Sequence, residues 1–174
     1  MPFSMSQASV PVFEIGLNAL SGVLDKAAAH AAAKKLDVPV LLNTRLTPDM
    51  FEMKRQVQLA CDFANRGCAR LAGVEPQRQE DTENTIDELK ARIAKTVAFI
   101  KTLDRAVIDQ ASEREINFPL GPERKAQMKG VDYLNHFALA NFYFHCTVAY
   151  AILRHCGVEI GKQDFLGAIP MKIT

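Results

Sequence analysis

The stretch NFYFHCTVAYAILRHCG, residues 141 to 157, carries most of the information about the fold. Its apolar residues recur every three or four positions, which is the spacing of one face of an α-helix, and Gly157 stands where a glycine ends many helices. Asn141 and His145 lie one helical turn apart near the middle of that apolar face. The pattern predicts a helix over residues 131–156 with two polar side chains turned toward the protein interior.

The N-terminal part of the chain predicts a first helix over residues 9–34. Its apolar residues have the same spacing, Ser9 can cap its start, and Pro11 in the first turn lacks an N–H group that would have no helical partner there. The stretch LDVPVLLN, residues 36–43, then breaks the pattern. We interpret it as a connection.

Two further helices are predicted in the middle of the chain. The second begins at Thr47-Pro48-Asp49, which combines a cap, a proline at the first helical position and an early acid, and it ends at Gly73. The third begins at Thr85, which has the spacing of a capping box with Glu88.

Residues 112–130 interrupt the helical pattern. They have no helical period, and INFPLGP at 116–122 is typical of a short strand that enters a turn. We predict an irregular segment or small hairpin here, before the last helix. The four amphipathic segments predict an all-α fold, a four-helix bundle that forms a single domain over residues 1–174. In the tail, Phe165 and Leu166 are expected to anchor an irregular segment.

Charge and cysteine usage exclude several classes of protein. The net charge is +1 and no basic run exceeds two residues, which argues against binding to nucleic acid or to an anionic membrane surface. The N-terminus lacks the pattern of a signal peptide, and no apolar stretch is long enough to span a bilayer. Cys61, Cys68, Cys146 and Cys156 form no CxxC motif. Free thiols of this kind predict a cytoplasmic protein.

Asn141 and His145 are the candidate site residues. A buried amide or imidazole needs a hydrogen-bond partner, and we considered a backbone carbonyl, a facing Thr96, a trapped water molecule or a metal ion. On the second helix Cys61 faces inward, whereas Asp62 is placed on the polar side. The residues therefore suggest a pocket around Asn141, His145 and Cys61. Zinc or nickel is not favoured, because asparagine is a poor zinc ligand and His145 is left as the one candidate ligand.

Four stretches of the chain resemble a known superfamily. They are LDKAAAHA (24–31), RQVQLACDFA (55–64), HFALANFYFH (136–145) and AYAILRHCGVEIGKQDFLG (149–167). They resemble the DinB/YfiT-like superfamily of helical bundles, and in particular an uncharacterised domain-of-unknown-function branch found mainly in bacteria.

The resemblance implies a metal site and a dimer. Characterised members of the superfamily are metal-dependent thiol transferases, isomerases and hydrolases, with one histidine from the second helix and two from the fourth on a divalent ion. The latter two positions fall on Asn141 and His145, so the triad is incomplete here. The superfamily's common dimerisation implies a homodimer, for which Leu59 and Phe63 are candidate interface residues.

Three interpretations of function remain open from the sequence. The protein is an uncharacterised bundle protein with a small-molecule pocket around His145, a metal-dependent thiol transferase, isomerase or hydrolase, or a non-catalytic binding or scaffold dimer. The sequence leaves undecided whether it is an enzyme.

Overall fold

The computed structural model describes residues 4–172, so the first three and last two residues of the predicted domain lie outside the described residues. Helices dominate, and one small antiparallel sheet accompanies them. The elements in chain order are α1 (Met5–Lys34), α2 (Val38–Asn43), α3 (Met53–Ala72), α4 (Ile86–Lys101), α5 (Arg105–Asp109), β1 (Glu115–Pro119), β2 (Lys125–Lys129), α6 (Gly130–Asp132), a π-helical turn (Tyr133–Ala138), α7 (Leu139–His155) and α8 (Lys162–Leu166). Within the described part of the chain, no helix is long and apolar enough to cross a membrane.

The first helix begins earlier than the sequence predicted. Ser4 is its cap, and Ser4 and Gln7 form a capping box in which each side chain bonds the other residue's backbone N–H. The prediction that Ser9 caps the helix is wrong, because the Ser9 hydroxyl donates to the Met5 carbonyl, 2.7 Å away, one turn back in the same helix. Pro11 consequently lies inside α1, where its missing N–H leaves one carbonyl of the preceding turn without its helical bond.

The segment Thr47-Pro48-Asp49 forms a turn, and the prediction that it starts a helix is wrong. The Thr47 hydroxyl donates to the Asp49 carboxylate at 2.6 Å, and the Met50 N–H donates to the Thr47 carbonyl at 3.1 Å. This closed turn ends before α3 starts at Met53. The predicted end of α3 is confirmed, since Gly73 adopts a left-handed φ of 72°.

The predicted connection at residues 36–43 contains the short helix α2. Pro39 stands in its first turn, where the absence of an N–H costs nothing. Leu41 and Leu42 are buried, and the helix packs against α1 and α3. An element of six residues is too short to show helical periodicity clearly in the sequence.

The capping box of α4 and the predicted hairpin are both confirmed. The Glu88 N–H donates to the Thr85 hydroxyl at 3.1 Å, and the Glu88 carboxylate accepts from the Thr85 N–H at 3.0 Å. Strands β1 and β2 pair from Glu115 opposite Lys129 to Pro119 opposite Lys125. The buried face of β1 covers the π-helical turn, so the hairpin packs on the helices.

The predicted last helix is continuous in space but is not α-helical throughout. The segment Gly130–Asp132 leads directly into the π-helical turn and then into α7. Gly157 ends α7 with φ 88°, as predicted. In the tail, Phe165 packs on Tyr150 with ring centroids 5.8 Å apart, whereas Leu166 is exposed, so the prediction that Leu166 anchors the tail is wrong. The tail is also less irregular than predicted, because it contains α8.

Helix α3 lies at the centre of the packing, in contact with α1, α4 and α7. Small residues on α3 permit this close approach. A Cβ atom added at Gly67 would lie 3.2 Å from the Cβ of Ala138 and 3.4 Å from the Phe13 ring. The short side chains of Ala60 and Ala64 are fully buried on the same helix.

A buried ionic cluster joins α3, α4 and the loop between them. The Arg92 side chain, 1% exposed, donates to Asp62 at 2.8 Å and to Glu83 at 3.0 Å, and it lies 3.0 Å from a carboxylate oxygen of Asp81. Its guanidinium also donates to the Glu80 carbonyl at 2.9 Å. The prediction that Asp62 lies on the solvent side is wrong: Asp62 is buried because the loop at residues 74–85 folds over it.

Replacing Arg92 by methionine is expected to lower the free energy of unfolding by about 3–5 kcal/mol, because Glu83 would be left buried without its cation and Asp62 would keep only the half-exposed Arg66. Urea denaturation followed by circular dichroism measures this change. Lys129→Met removes a cation from an exposed pair with Glu113 and should leave the denaturation midpoint unchanged. Equal midpoints for both variants would contradict a structural role of the cluster.

Candidate functional site

His145 is held by a glutamine of α3 that was not among the partners predicted from the sequence. The Nδ1 atom of His145 lies 2.7 Å from Oε1 of Gln56. The amide nitrogen of Gln56 donates to the Phe51 carbonyl at 3.0 Å, which leaves Oε1 as the acceptor. Nδ1 therefore carries the imidazole proton and donates it to Gln56, and Nε2 keeps its lone pair.

Aromatic rings surround the imidazole of His145. Phe63 stacks on it with centroids 5.5 Å and planes 17° apart, and Phe144 meets it edge-on at 5.3 Å. Burial, assisted by the positive charge of Arg55, lowers the pKa of His145 from 6.5 to about 4. The ring is consequently neutral at pH 7, and Nε2 is a hydrogen-bond acceptor.

Asn141 lies at the edge of the buried face, and the expectation that it points fully into the interior is wrong. Four residues advance a helix by 40° more than one turn, so Asn141 and His145 do not share one direction. Asn141 is half-buried, and its amide nitrogen donates to the Phe137 carbonyl of the same helix at 2.7 Å. The second hydrogen of that nitrogen is left to donate outward.

Cys61 faces α4. Its fully buried thiol contacts the Thr96 side chain, and burial raises the pKa of the thiol to about 12. Among the described residues, no hydrogen bond connects Cys61 to Asn141 or to His145. Thr96 is likewise engaged elsewhere, since it accepts a hydrogen bond from the Gln79 amide at 2.9 Å.

The donors present do not fit the divalent metal that the superfamily resemblance implies. The Nδ1 atom of His145 is bonded to Gln56, and the Asn141 amide nitrogen is bonded to a carbonyl. Cys61 is protonated at neutral pH, whereas metals bind the thiolate. Across residues 4–172, no three His, Cys, Asp or Glu side chains are grouped so that they could hold a metal ion. At Asn141 and His145, where the superfamily resemblance implies two histidine ligands, this chain has an asparagine bonded to its own helix and a histidine bonded to Gln56.

An open cleft of about 560 Å³ lies beside the Gln56–His145 pair. It is bounded by α3, by the π-helical turn with the start of α7, and by the tip of the hairpin. We call it the hairpin cleft. It is lined by Phe63, Arg66, Arg70, Pro119, Leu120, Gly121, Phe137 and Asn141. The rings of Phe63 and Phe137 meet edge to face at 5.8 Å. Because Phe63 also stacks on His145, the imidazole lies one side chain behind the cleft wall.

Most of the cleft was not predicted from the sequence: of its eight lining residues, Asn141 is the candidate pocket residue, and Phe63 was assigned to a dimer interface instead. Arg66 and Arg70 are four residues apart on α3, one and two turns after Phe63, a spacing that is visible in the sequence. Their partners at residues 119–121 come from the hairpin tip, and no local pattern indicates where that tip packs.

The chain is similar to a described family and to a solved structure. Residues 5–166 match the family described as Domain of unknown function (DUF1993). A crystal structure of a DinB family member protein from Shewanella denitrificans superposes with a TM-score of 0.89 at 40% sequence identity, and the match covers 97% of this chain and 95% of that one. No protein with a curated description matched. The resemblance inferred from the sequence is confirmed: the chain belongs to the DUF1993 family and is DinB-like.

Proposed function

We propose that this protein binds a small organic molecule in the hairpin cleft without using a histidine-triad metal. The observation that supports the proposal is the cleft itself. Its volume lies within the roughly 300–1,000 Å³ typical of small-molecule sites, and its aromatic walls carry a few polar groups at the rim. The cleft adjoins His145, one of the two positions at which the superfamily resemblance implies functional residues.

The architecture that we propose for this site is a single-domain, DinB-like four-helix bundle formed by α1, α3, α4 and α7. It is supported by the mutual packing of these four long helices and by the 40% identical DinB family member. The hairpin tip would then close the side of the bundle where α3 meets α7.

The chemistry of His145 favours binding over metal-dependent catalysis. A general base is most effective when its pKa lies near the working pH, and the pKa of His145 is about 4. Nδ1 is engaged by Gln56, and thiol transferases, isomerases or hydrolases of the metal-dependent kind would need further ligands that Asn141 and Cys61 do not offer. We therefore propose a structural role for the imidazole, as the support of Phe63 in the cleft wall.

Nile red, a neutral apolar dye, is expected to bind saturably in the hairpin cleft with a rise in fluorescence. Asn141→Trp should weaken this binding at least tenfold, because the indole would fill the cleft beside Phe137. Thr147→Trp adds the same indole at an exposed position of α7 outside the lining and should leave the affinity unchanged. Non-saturable dye binding, or equal affinities for the two variants, would reject the cleft as the site.

His145→Ala is expected to lower the free energy of unfolding by about 1–3 kcal/mol at pH 7.5, since Gln56 would lose its buried partner. A metal bound only by the folded wild type would stabilise it by mass action. Because we expect no such binding, addition of zinc or nickel should not change the difference in melting temperature between wild type and variant. His136→Ala removes an exposed imidazole and serves as the control. Stabilisation of the wild type alone by either ion would restore the metal hypothesis.

The same variant tests the charge state of His145. Because the folded pKa is about 4 and the unfolded value about 6.5, the unfolded chain binds more protons between these pH values. The stability that His145 confers should therefore be complete above pH 6.5 and diminish as the pH falls toward 4, by about 3 kcal/mol. Denaturation of wild type and His145→Ala at several pH values measures this contribution as their difference. A pH-independent difference would contradict a neutral imidazole.

We also propose that the protein forms a homodimer. The observation that supports this second role is the exposure of two large aromatic side chains: Phe144, which contacts His145, is 53% exposed, and Phe51, whose carbonyl accepts from Gln56, is 54% exposed. Phe63, one of the two interface residues suggested by the sequence, instead packs against His145 and Phe137, and Leu59 is half-buried.

Light scattering at micromolar concentration is expected to give the mass of a dimer, and Phe144→Ser should shift it toward the monomer by removing apolar area from the interface. Val74→Ser changes a residue of similar exposure just beyond the opposite end of α3 and should leave the dimer intact. A monomer mass for the wild type would reject the dimer.

The cytoplasm is the compartment that we propose. All four cysteines are free, and Cys61, Cys68 and Cys146 are buried within helices. Free thiols persist in a reducing compartment, whereas an oxidising one favours disulfides.

A further inference from the structure

We infer that the hairpin cleft selects an anionic ligand, a small molecule with an apolar body and a terminal carboxylate or phosphate that Arg66 and Arg70 bind. The inference rests on the proposed function, because it assigns a ligand class to the same cleft.

Arg70 is held in place before any ligand arrives. Its Nη1 donates to the Tyr133 hydroxyl at 3.0 Å. Its guanidinium carbon lies 5.5 Å from the centre of the Phe118 ring and 5.9 Å from that of Tyr133, both within the range of cation–π attraction. Tyr133 and Phe118 are themselves buried. An arginine fixed on aromatic rings loses little side-chain entropy on binding, and its remaining N–H groups suit the paired oxygens of a carboxylate or phosphate.

The charge of the cleft is positive and incompletely balanced. None of the eight lining residues is acidic. Within residues 4–172, no carboxylate lies within 4 Å of the Arg70 guanidinium. Arg66 is paired with Asp62 at 3.0 Å, and Arg92, which also donates to Asp62, has Glu83 and Asp81 as further partners. The cation of the lining that lacks a carboxylate in the described part of the chain is therefore Arg70, and a ligand anion would supply its counter-charge.

The remaining walls determine what the anion must be attached to. Phe63 and Phe137 provide aromatic surface, and Pro119 and Leu120 of the hairpin tip provide aliphatic surface opposite the helices. The outward hydrogen of the Asn141 amide adds one further donor. The arrangement therefore fits an amphiphilic organic acid or phosphate ester better than a free inorganic anion, which would leave the apolar walls uncovered.

Displacement of Nile red by matched competitors tests the inference. The competitors are 3-phenylpropionate, phenyl phosphate and the neutral 3-phenylpropanol, at low ionic strength. We expect at least one of the two anions to displace the dye at concentrations at least tenfold lower than the alcohol, and added salt to reduce this preference. The order of the two anions distinguishes a carboxylate ligand from a phosphate ligand.

Arg70→Met is expected to reduce the preference for the anion to threefold or less. Lys125→Met removes a cation from strand β2, outside the cleft lining, and should retain the full preference. If Arg70→Met does not fold, as judged by circular dichroism, Arg66→Met replaces it, because Arg66 is half-exposed and its loss should still reduce the preference at least threefold.

The outcomes separate the two proposals. Saturable dye binding that Asn141→Trp weakens at least tenfold, combined with equal displacement by the anions and the alcohol, would overturn the anion inference and leave the binding site standing. Equal losses in Arg70→Met and Lys125→Met would also overturn it, since the effect would then be one of overall charge. Absence of saturable dye binding would overturn both.

Discussion

The contact of α3 with the π-helical turn and α7 is the constraint on which the site depends. Small residues along α3, such as Gly67 against Ala138, bring this continuous helical segment close enough for the side chains to interlock. At the N-terminal end of α3 the contact closes with the Gln56–His145 hydrogen bond, and nearer its other end Arg70 bonds Tyr133. The hairpin cleft opens between these two polar contacts. A larger side chain at position 67 would separate the helices and disturb both of them together.

Helix α3 buries polar groups on two sides and satisfies them in different ways. Toward α7, a neutral amide meets a neutral imidazole, which avoids the desolvation of a charge. Toward α4, Asp62 and Arg92 are both charged, and Glu83 and the loop carbonyl at Glu80 accept further hydrogen bonds from the guanidinium, which offset the desolvation of the charges and leave Nε as its unpaired donor within residues 4–172. On the cleft side, Asp62 balances the charge of Arg66, whereas Arg70 bonds the neutral Tyr133 hydroxyl and lies over the Phe118 ring. Arg70 is therefore the lining cation whose charge no carboxylate of the described residues cancels.

Sequence patterns predicted those features that local chemistry specifies, and they failed where a distant segment decides. The capping box at Thr85 and the glycine end at Gly73 depend on neighbouring residues alone, and both are present. Asp62 was assigned to the surface because its helical position is polar, but a loop ten and more residues away covers it. Gln56 was overlooked as a partner for His145 because an amide can be satisfied in many ways, and only the approach of two helices selects one of them.

The hairpin cleft likewise combines a feature that the local sequence specifies with one that a distant segment decides. Two arginines four residues apart on a helix usually form part of a solvated face, and nothing in their spacing distinguishes Arg66 from Arg70. The difference arises when β1 places Phe118 beneath Arg70, which fixes that guanidinium, while Arg66 stays half-exposed and paired with Asp62. A rigid cation with free N–H groups and a more mobile one beside it can bind an anion and then adjust to its size. The segment predicted as an interruption of the helical pattern is thus the element that turns an ordinary helix surface into a site capable of binding.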